Sequence, residues 1–265
     1  MIELLLLFLA LGAIAGLLAG ALGLGGGVVI VPALLAIYHL IGFPPAINAQ
    51  LAVATSLATI AVTSLSAIRA HHRHGAVRWP LAINLSIGII FGAFLGAFLA
   101  SHIASAQLAR LFGIFAMIIA VQMALSSQGQ RVSGEERLPG RGPLMLVGGI
   151  IGTLSGMFGI GGGSMTVPLL SAWRVRMQQA VAVSAVCGLP IALGGGLGFV
   201  IAGWQHPELP PGSVGFVYLP AAAGIVLTSF PLARVGARLA HALPATTLKR
   251  AFAVVLFLIG LKLVL

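Results

Sequence analysis

The chain alternates long apolar runs with short polar gaps. A helix that crosses a bilayer needs about 20 apolar residues. Five runs fill the first half, at roughly 3–22, 28–41, 48–69, 78–100 and 107–126. A polar stretch, SSQGQRVSGEERLPGRGP, follows from Ser126 to Pro143. Five more runs come after it, at roughly 144–159, 164–173, 178–201, 214–234 and 247–264. The second and seventh runs are too short to span comfortably. Each sits beside a glycine cluster and carries a proline, in GLGGGVVIVP (Gly23–Pro32) and GIGGGSMTVP (Gly159–Pro168). Both residue types interrupt helices.

The two halves repeat. GLLAGALGLGGGVVIVPAL from Gly16 lines up with GTLSGMFGIGGGSMTVPLL from Gly152. GAVRWP (Gly75–Pro80) matches GFVYLP (Gly215–Pro220), and LARLF (Leu108–Phe112) matches LKRAF (Leu248–Phe252). Three matches in the same order mark a duplicated unit. Residues 1–126 form the first repeat, 127–143 a linker and 144–265 the second repeat.

Charge placement orients the halves. The gap after the third run holds Arg69, Arg73 and Arg78, whereas its partner near 202–213 has no Lys or Arg. Arg238 precedes the tenth run and Lys249 and Arg250 lie at its very start, whereas the gap at 101–106 has none, Arg110 following just inside the fifth. WRVR at 173–176 is basic, and its counterpart IYHLIGFPP is not. Bases collect on the cytoplasmic side, so the linker is cytoplasmic and the halves are expected in opposite orientations, an inverted repeat. Residues 144–173 must then enter and return to one face, as a re-entrant helix hairpin, with a mirror-image excursion in the first half. The expected fold is an all-α integral membrane protein. It has two inverted repeats, each with a glycine-broken hairpin plus three transmembrane helices, 8–10 membrane segments in all.

Composition agrees with that class. Hydrophobic residues make up 59% of the 265 and charged residues only 7%, against roughly 25% charged in soluble domains. The net charge of +10 lies in loop gaps and forms no basic domain that could hold a duplex, so nucleic-acid binding is excluded. A single cysteine, Cys187, leaves neither an internal disulfide nor a multi-cysteine metal site. The N-terminus lacks the basic region of a secretory signal and reads as a retained helix.

Irregular backbone survives in hydrocarbon only where protein or a water-filled cavity satisfies it. Helices that start after a glycine turn present free N–H groups and a positive dipole end. Glycine also lets a ligand approach the backbone. Broken helices at matching places in two inverted halves point to a transporter substrate site; tight helix packing by small residues is the competing use. The acids are Glu3, Glu135, Glu136 and Glu208, with no aspartate. A cavity without carboxylates suits an anion rather than a cation.

The candidate substrate residues are therefore Gly25, Gly26 and Gly27 with Gly161, Gly162, Gly163 and Ser164. Pro32 and Pro168 are the structural or hinge positions. NAQLAVATS (Asn48–Ser56) aligns with RMQQAVAVS (Arg176–Ser184), adding Gln50, Ser56, Gln178 and Ser184. Interhelical hydrogen bonds or back-bonding to the helix's own carbonyls is the alternative use of these four. Thr166 has the same two readings, whereas Asn84, Gln122 and Thr228 read as structural. Arg69 and Arg110 either attract an anion near the apolar zone or snorkel to the interface. HHRHG at 71–75 reads as a solvated basic loop, with no carboxylate or thiol to complete a metal set. GIGGGS is not a phosphate loop, because no GK[ST] follows. It is not a serine protease site either, because no base is in reach. No enzyme activity, cofactor or metal is expected. The expected partners are a small anionic substrate and the lipid bilayer, with a second copy of the chain left open.

These paired GxxxGxxGxGGGxxxVPxL segments, with ATSL…S…HxxHGxVxW between Ala54 and Trp79, resemble the TauE/SafE sulfite exporter family. That family is also called the 4-toluene sulfonate uptake permeases. The resemblance covers essentially the whole chain. It implies a bacterial inner-membrane, multi-pass carrier of small sulfur-containing anions such as sulfite, sulfoacetate or related organosulfonates. The halves depart from one another where GLGFVIAGW in the second stands for AIRAHHRHG in the first.

Overall fold

The computed structural model describes residues 2–22, 26–125, 136–239 and 245–265. Among these the first half supplies α1 (Ile2–Leu22), α2 (Gly27–Leu40), α3 (Asn48–Arg73), α4 (Trp79–Ser101) and α5 (Ser105–Leu125). The second supplies α6 (Arg141–Phe158), α7 (Gly163–Ala172), α8 (Met177–Ala202), α9 (Leu219–Leu239) and α10 (Ala245–Val264). The protein is an all-α integral membrane protein, and α3, α4, α5, α6 and α8 are each long and apolar enough to cross a bilayer. Helices α2 and α7 have 14 and 10 residues. At 1.5 Å per residue they reach about 21 and 15 Å, short of a hydrocarbon core of about 30 Å.

One boundary of the apolar pattern is corrected. The ninth run starts at 214 in the sequence, but α9 starts at Leu219. Ahead of it, β1 (Ser213–Val214) and β2 (Val217–Tyr218) pair antiparallel, Val214 facing Val217. The two-residue turn between them uses Gly215 at φ +53, a backbone angle glycine adopts without a Cβ clash. The hairpin folds back on α8, where Phe216 N–H donates to the Phe199 carbonyl at 3.3 Å.

Glycine contacts give the helix directions. A Cβ on Gly92 would lie 2.1 Å from the Gly149 carbonyl oxygen, and one on Gly96 would lie 2.0 Å from that of Thr153. From the other side, Gly152 meets Ile89 and Gly156 meets Ala93. The contacts advance together along both chains, so α4 and α6 run parallel with their backbones touching. Small residues at four-residue spacing allow this approach, which replaces the hydrophobic effect as the source of helix association in lipid. Helices α1 and α9 pair the same way, Phe8 meeting Gly224, Gly12 meeting Ile225 and Thr228, and Gly16 meeting Ser229.

Helix α8 is also parallel to α4, since Gly194 meets Ile90 and Gly198 meets Phe94. Helices α6 and α8 therefore run in the same direction, and α7 must return the chain to the face at which α6 began. The backbone bond from Arg137 N–H to the Trp173 carbonyl, at 3.2 Å, ties the linker to the end of α7 at that face. In contrast, α3 opposes α8: Gly188 lies against Ile60 and Ser64, and Gly195 against Leu57. Helix α5 opposes α10, with Gly113 near Leu263 and Met117 near Gly260.

Closeness of this kind makes a clear prediction. Gly92→Leu must force α4 from α6 and should lower stability by about 3 kcal/mol or more, the upper end of overpacking costs. Gly196→Ala, where nothing lies within 4 Å of the added methyl, should be neutral or stabilising by up to about 1 kcal/mol. Thermal unfolding of the detergent-solubilised variants measures both.

Candidate functional site at the crossing of the broken helices

Helix α6 stops at Phe158 because Gly159 turns left-handed, at φ +65. Ile160 N–H then bonds back to the Ser155 carbonyl at 3.1 Å, which satisfies one of the last carbonyls of the helix. Two residues later Gly162 opens α7, and no side chain caps it. Helix α2 opens in the same way after Gly26, again without a side-chain cap. The first N–H groups of each helix have no acceptor within it, and the dipole adds positive potential at that end. Gly25, the remaining candidate glycine of the first cluster, lies outside the described residues, as does Gly23.

The two breaks meet. A Cβ on Gly27 would sit 2.3 Å from the Gly159 carbonyl oxygen and 3.0 Å from the Ile160 Cα. Backbone touches backbone there, and only glycine fits. Helix α3 closes one side: Ser56 Oγ donates to the Gly159 carbonyl at 2.8 Å, and Val53 packs on the same glycine. Helix α8 closes the other, with the Ser184 carbonyl 2.9 Å and Cys187 Cβ 3.3 Å from a Cβ on Gly162. Gly161, Gly162, Gly163, Ser56, Ser164, Thr166 and Ser184 are all buried, so this conformation is closed around the crossing.

The hydroxyls have mostly committed their protons. Thr59 donates to the Ser56 carbonyl at 2.7 Å, Ser184 to that of Val181 at 3.0 Å, and Ser164 to that of Gly161 at 3.5 Å. Such back-bonding uses the O–H within its own segment, leaving the first N–H groups of α2 and α7, which have no acceptor in their own helix, as the readier donors. Thr166 is the exception. Its Oγ1 is fully buried, in the first turns of α7, without a partner among the described residues.

Among the described residues no carboxylate approaches. Glu3 lies in the first turn of α1, and Glu136 and Glu208 are exposed in loops; Glu135 lies outside the described residues. Arg69 and Arg110 are exposed on the flanks. Among the described residues no His, Cys, Asp or Glu cluster could hold a metal.

The structure thus gathers Gly26, Gly27, Gly161, Gly162, Gly163, Ser164, Ser56 and Ser184 around one crossing. Pro32 and Pro168 lie further along α2 and α7, each inside its helix. Gln50 and Gln178 are not part of the gathering. Gln50 Nε2 donates to the Ile103 carbonyl at 2.7 Å, pinning the start of α3 to the α4–α5 loop, and Gln178 is exposed at the start of α8. Sequence reasoning passed over Gly159, Ser155 and Thr59. A signal for Thr59 was present, because Ser56, Thr59 and Thr63 recur at helical spacing.

Residues 8–263 match the sulfite exporter TauE/SafE family. A probable membrane transporter protein of Haemophilus influenzae is 35% identical over the full length of both chains. A probable membrane transporter protein of Methanocaldococcus jannaschii is 31% identical over 98% of this chain and 95% of its own. A third from Bacillus subtilis is 26% identical over 97% and 96%. No solved structure matches the chain. On the strength of this whole-length match, the chain is a multi-pass membrane transporter, not an enzyme, and belongs to the sulfite exporter TauE/SafE family.

Proposed function

We propose that the protein carries small sulfur-containing anions, sulfite, sulfoacetate or related organosulfonates, across a bacterial inner membrane. The anion binds between the two glycine breaks near the midplane, and the repeats rock against each other to expose it alternately to each face. One observation carries this reading. Two uncapped helix N-termini converge in a buried site with no carboxylate nearby among the described residues, and N–H groups at helix starts are ready-made anion donors. The inverted arrangement draws support from the helix directions, since α3 opposes its repeat-mate α8 and α5 opposes α10. Without an intramembrane acid, a proton relay through side chains has no carrier. Flux down a gradient, or a proton borne by the substrate itself, fits better.

Uptake into proteoliposomes tests substrate class. Labelled sulfite or sulfoacetate should enter saturably and compete with one another, and a cation control should not move. If only the cation moved, the anion site would be wrong; non-saturating anion flux would replace the carrier with a channel-like pathway. Gly162→Leu should reduce anion transport about tenfold or more, equivalent to about 1.4 kcal/mol or more of lost interaction. Unchanged transport and affinity would remove the loops from the site.

Thr166 separates function from stability. A buried hydroxyl without a partner costs about 1–3 kcal/mol, so Thr166→Val should raise the thermal midpoint. If the hydroxyl contacts the anion, the same variant should raise KM. Single cysteines placed at 70–78 and 203–212 should label from opposite sides; labelling from one side would refute the inverted orientation.

A further inference from the structure

Four aromatic rings close the molecule on the side of the crossing away from the linker. Phe8 of α1, Tyr38 near the end of α2, Phe43 after it and Tyr218 of β2 pack with centroids 5.1–6.4 Å apart, mostly edge to face. Phe8, Tyr38 and Tyr218 are buried. Tyr38 lies 11 residues beyond Gly27, about 17 Å along the helix, so the rings stand between the glycine crossing and that outer face. They join the halves: three come from the first repeat, and Tyr218 sits on the hairpin anchored to α8.

A single hydroxyl holds this cluster. Thr55 Oγ1 accepts the Tyr38 O–H at 3.2 Å and the Tyr218 backbone N–H at 3.1 Å. The next residue, Ser56, makes the 2.8 Å bond to the Gly159 carbonyl at the crossing. Neighbouring residues of one rigid helix therefore grip the rings and the second break at once. The opposite face carries different chemistry at the matching position. Arg78, which matches Tyr218 in the repeat, pairs with Glu136 of the linker at 2.6 Å, and both side chains are about one-third exposed.

We propose that Phe8, Tyr38, Phe43 and Tyr218 form the outer gate of the transport route, and that the Thr55–Ser56 step of α3 couples this gate to the anion site. The inference rests on the alternating-access reading above. Movement of Gly159 pulls Ser56, and Thr55 must follow. Its two bonds are already long, so about half an ångström of further separation carries them beyond hydrogen-bonding range. The rings then lose the contact that aligns Tyr38 with Tyr218, and the outer face opens. Thr55 is a positioning residue here, not a substrate ligand.

The sole cysteine supplies the reporter. Cys187 is fully buried beside Gly162, so a membrane-impermeant thiol reagent reaches it only through an open route. In vesicles exposing the outer face, wild-type protein should label slowly. Thr55→Val keeps the shape, removes the acceptor, and should label about tenfold faster, the population shift expected from losing two modest hydrogen bonds. Labelling from the linker side should not change. Thr55→Ser should restore wild-type protection, and Tyr38→Phe should give an intermediate rate. Wild-type protection in a folded Thr55→Val protein would overturn the gate, as would equal acceleration from both faces. Sulfite should slow the labelling of Thr55→Val. If the gate opens but no anion protects Cys187, the gate stands and the anion site falls.

Discussion

In hydrocarbon no water is available to a backbone N–H or C=O, so a broken helix must find partners inside the protein. The rest of this structure follows from meeting that demand twice, in the same place. The second break is satisfied at its carbonyl end by Ser56 on Gly159 and at Ile160 by the Ser155 carbonyl. The first break is laid against it, Gly27 on Gly159. Neither contact survives a side chain at these glycines. What the two short helices cannot satisfy within themselves are the first N–H donors of α2 and α7, and with the unpartnered Thr166 hydroxyl these are the groups on which the proposed anion site rests.

Holding two short helices at membrane depth requires stiff supports, and the supports are related by exchange of the halves. Helix α1 packs on α9 as α6 packs on α4, both pairs parallel and close. The contact chemistry nevertheless differs. The α4–α6 seam is glycine against backbone throughout. In the other seam Thr228 takes the place that Gly88 holds in the repeat, and its hydroxyl donates to the Leu9 carbonyl at 2.7 Å across the helix pair. A hydroxyl that bonds the facing backbone can replace a missing side chain at such a contact. The duplication thus conserves geometry while its residues diverge: at matched positions Tyr218 joins the ring cluster at one face and Arg78 pairs with Glu136 at the other.

The helices were legible because apolar run length is a direct demand of the bilayer, and the breaks because glycine and proline are costly in a spanning helix without a reason. The Ser213–Tyr218 hairpin was not legible. Its strands have two residues each, too few to show an alternating pattern, and they lie inside an apolar run. Gln50 and Gln178 illustrate a subtler loss. Alignment equates them, but Gln50 is the third residue of α3, and the third residue of α8 is Gln179. One residue of register turns a helical side chain by about 100°, and Gln179 is the one whose amide oxygen is buried. Thr55 was hidden for another reason. A hydroxyl in an apolar helix has the same sequence signature whether it bonds its own carbonyls or bridges two distant elements, and only tertiary placement decides.

That no charged side chain among the described residues reaches the crossing also bears on how the proposed carrier would work. An arginine at the midplane would bind an anion through bidentate, charge-assisted bonds and would need its own counter-charge whenever the site was empty. Helix N-termini avoid both difficulties. Their donors are fixed by the fold, do not titrate, and carry only about half a unit of positive charge each. On the proposed reading, two such ends facing one site would attract a small anion without the full charge of a side chain, which suits the balance between binding and release that any permeation route has to strike. Glycine is what makes this possible, because a site built from backbone needs an opening through which backbone can be reached.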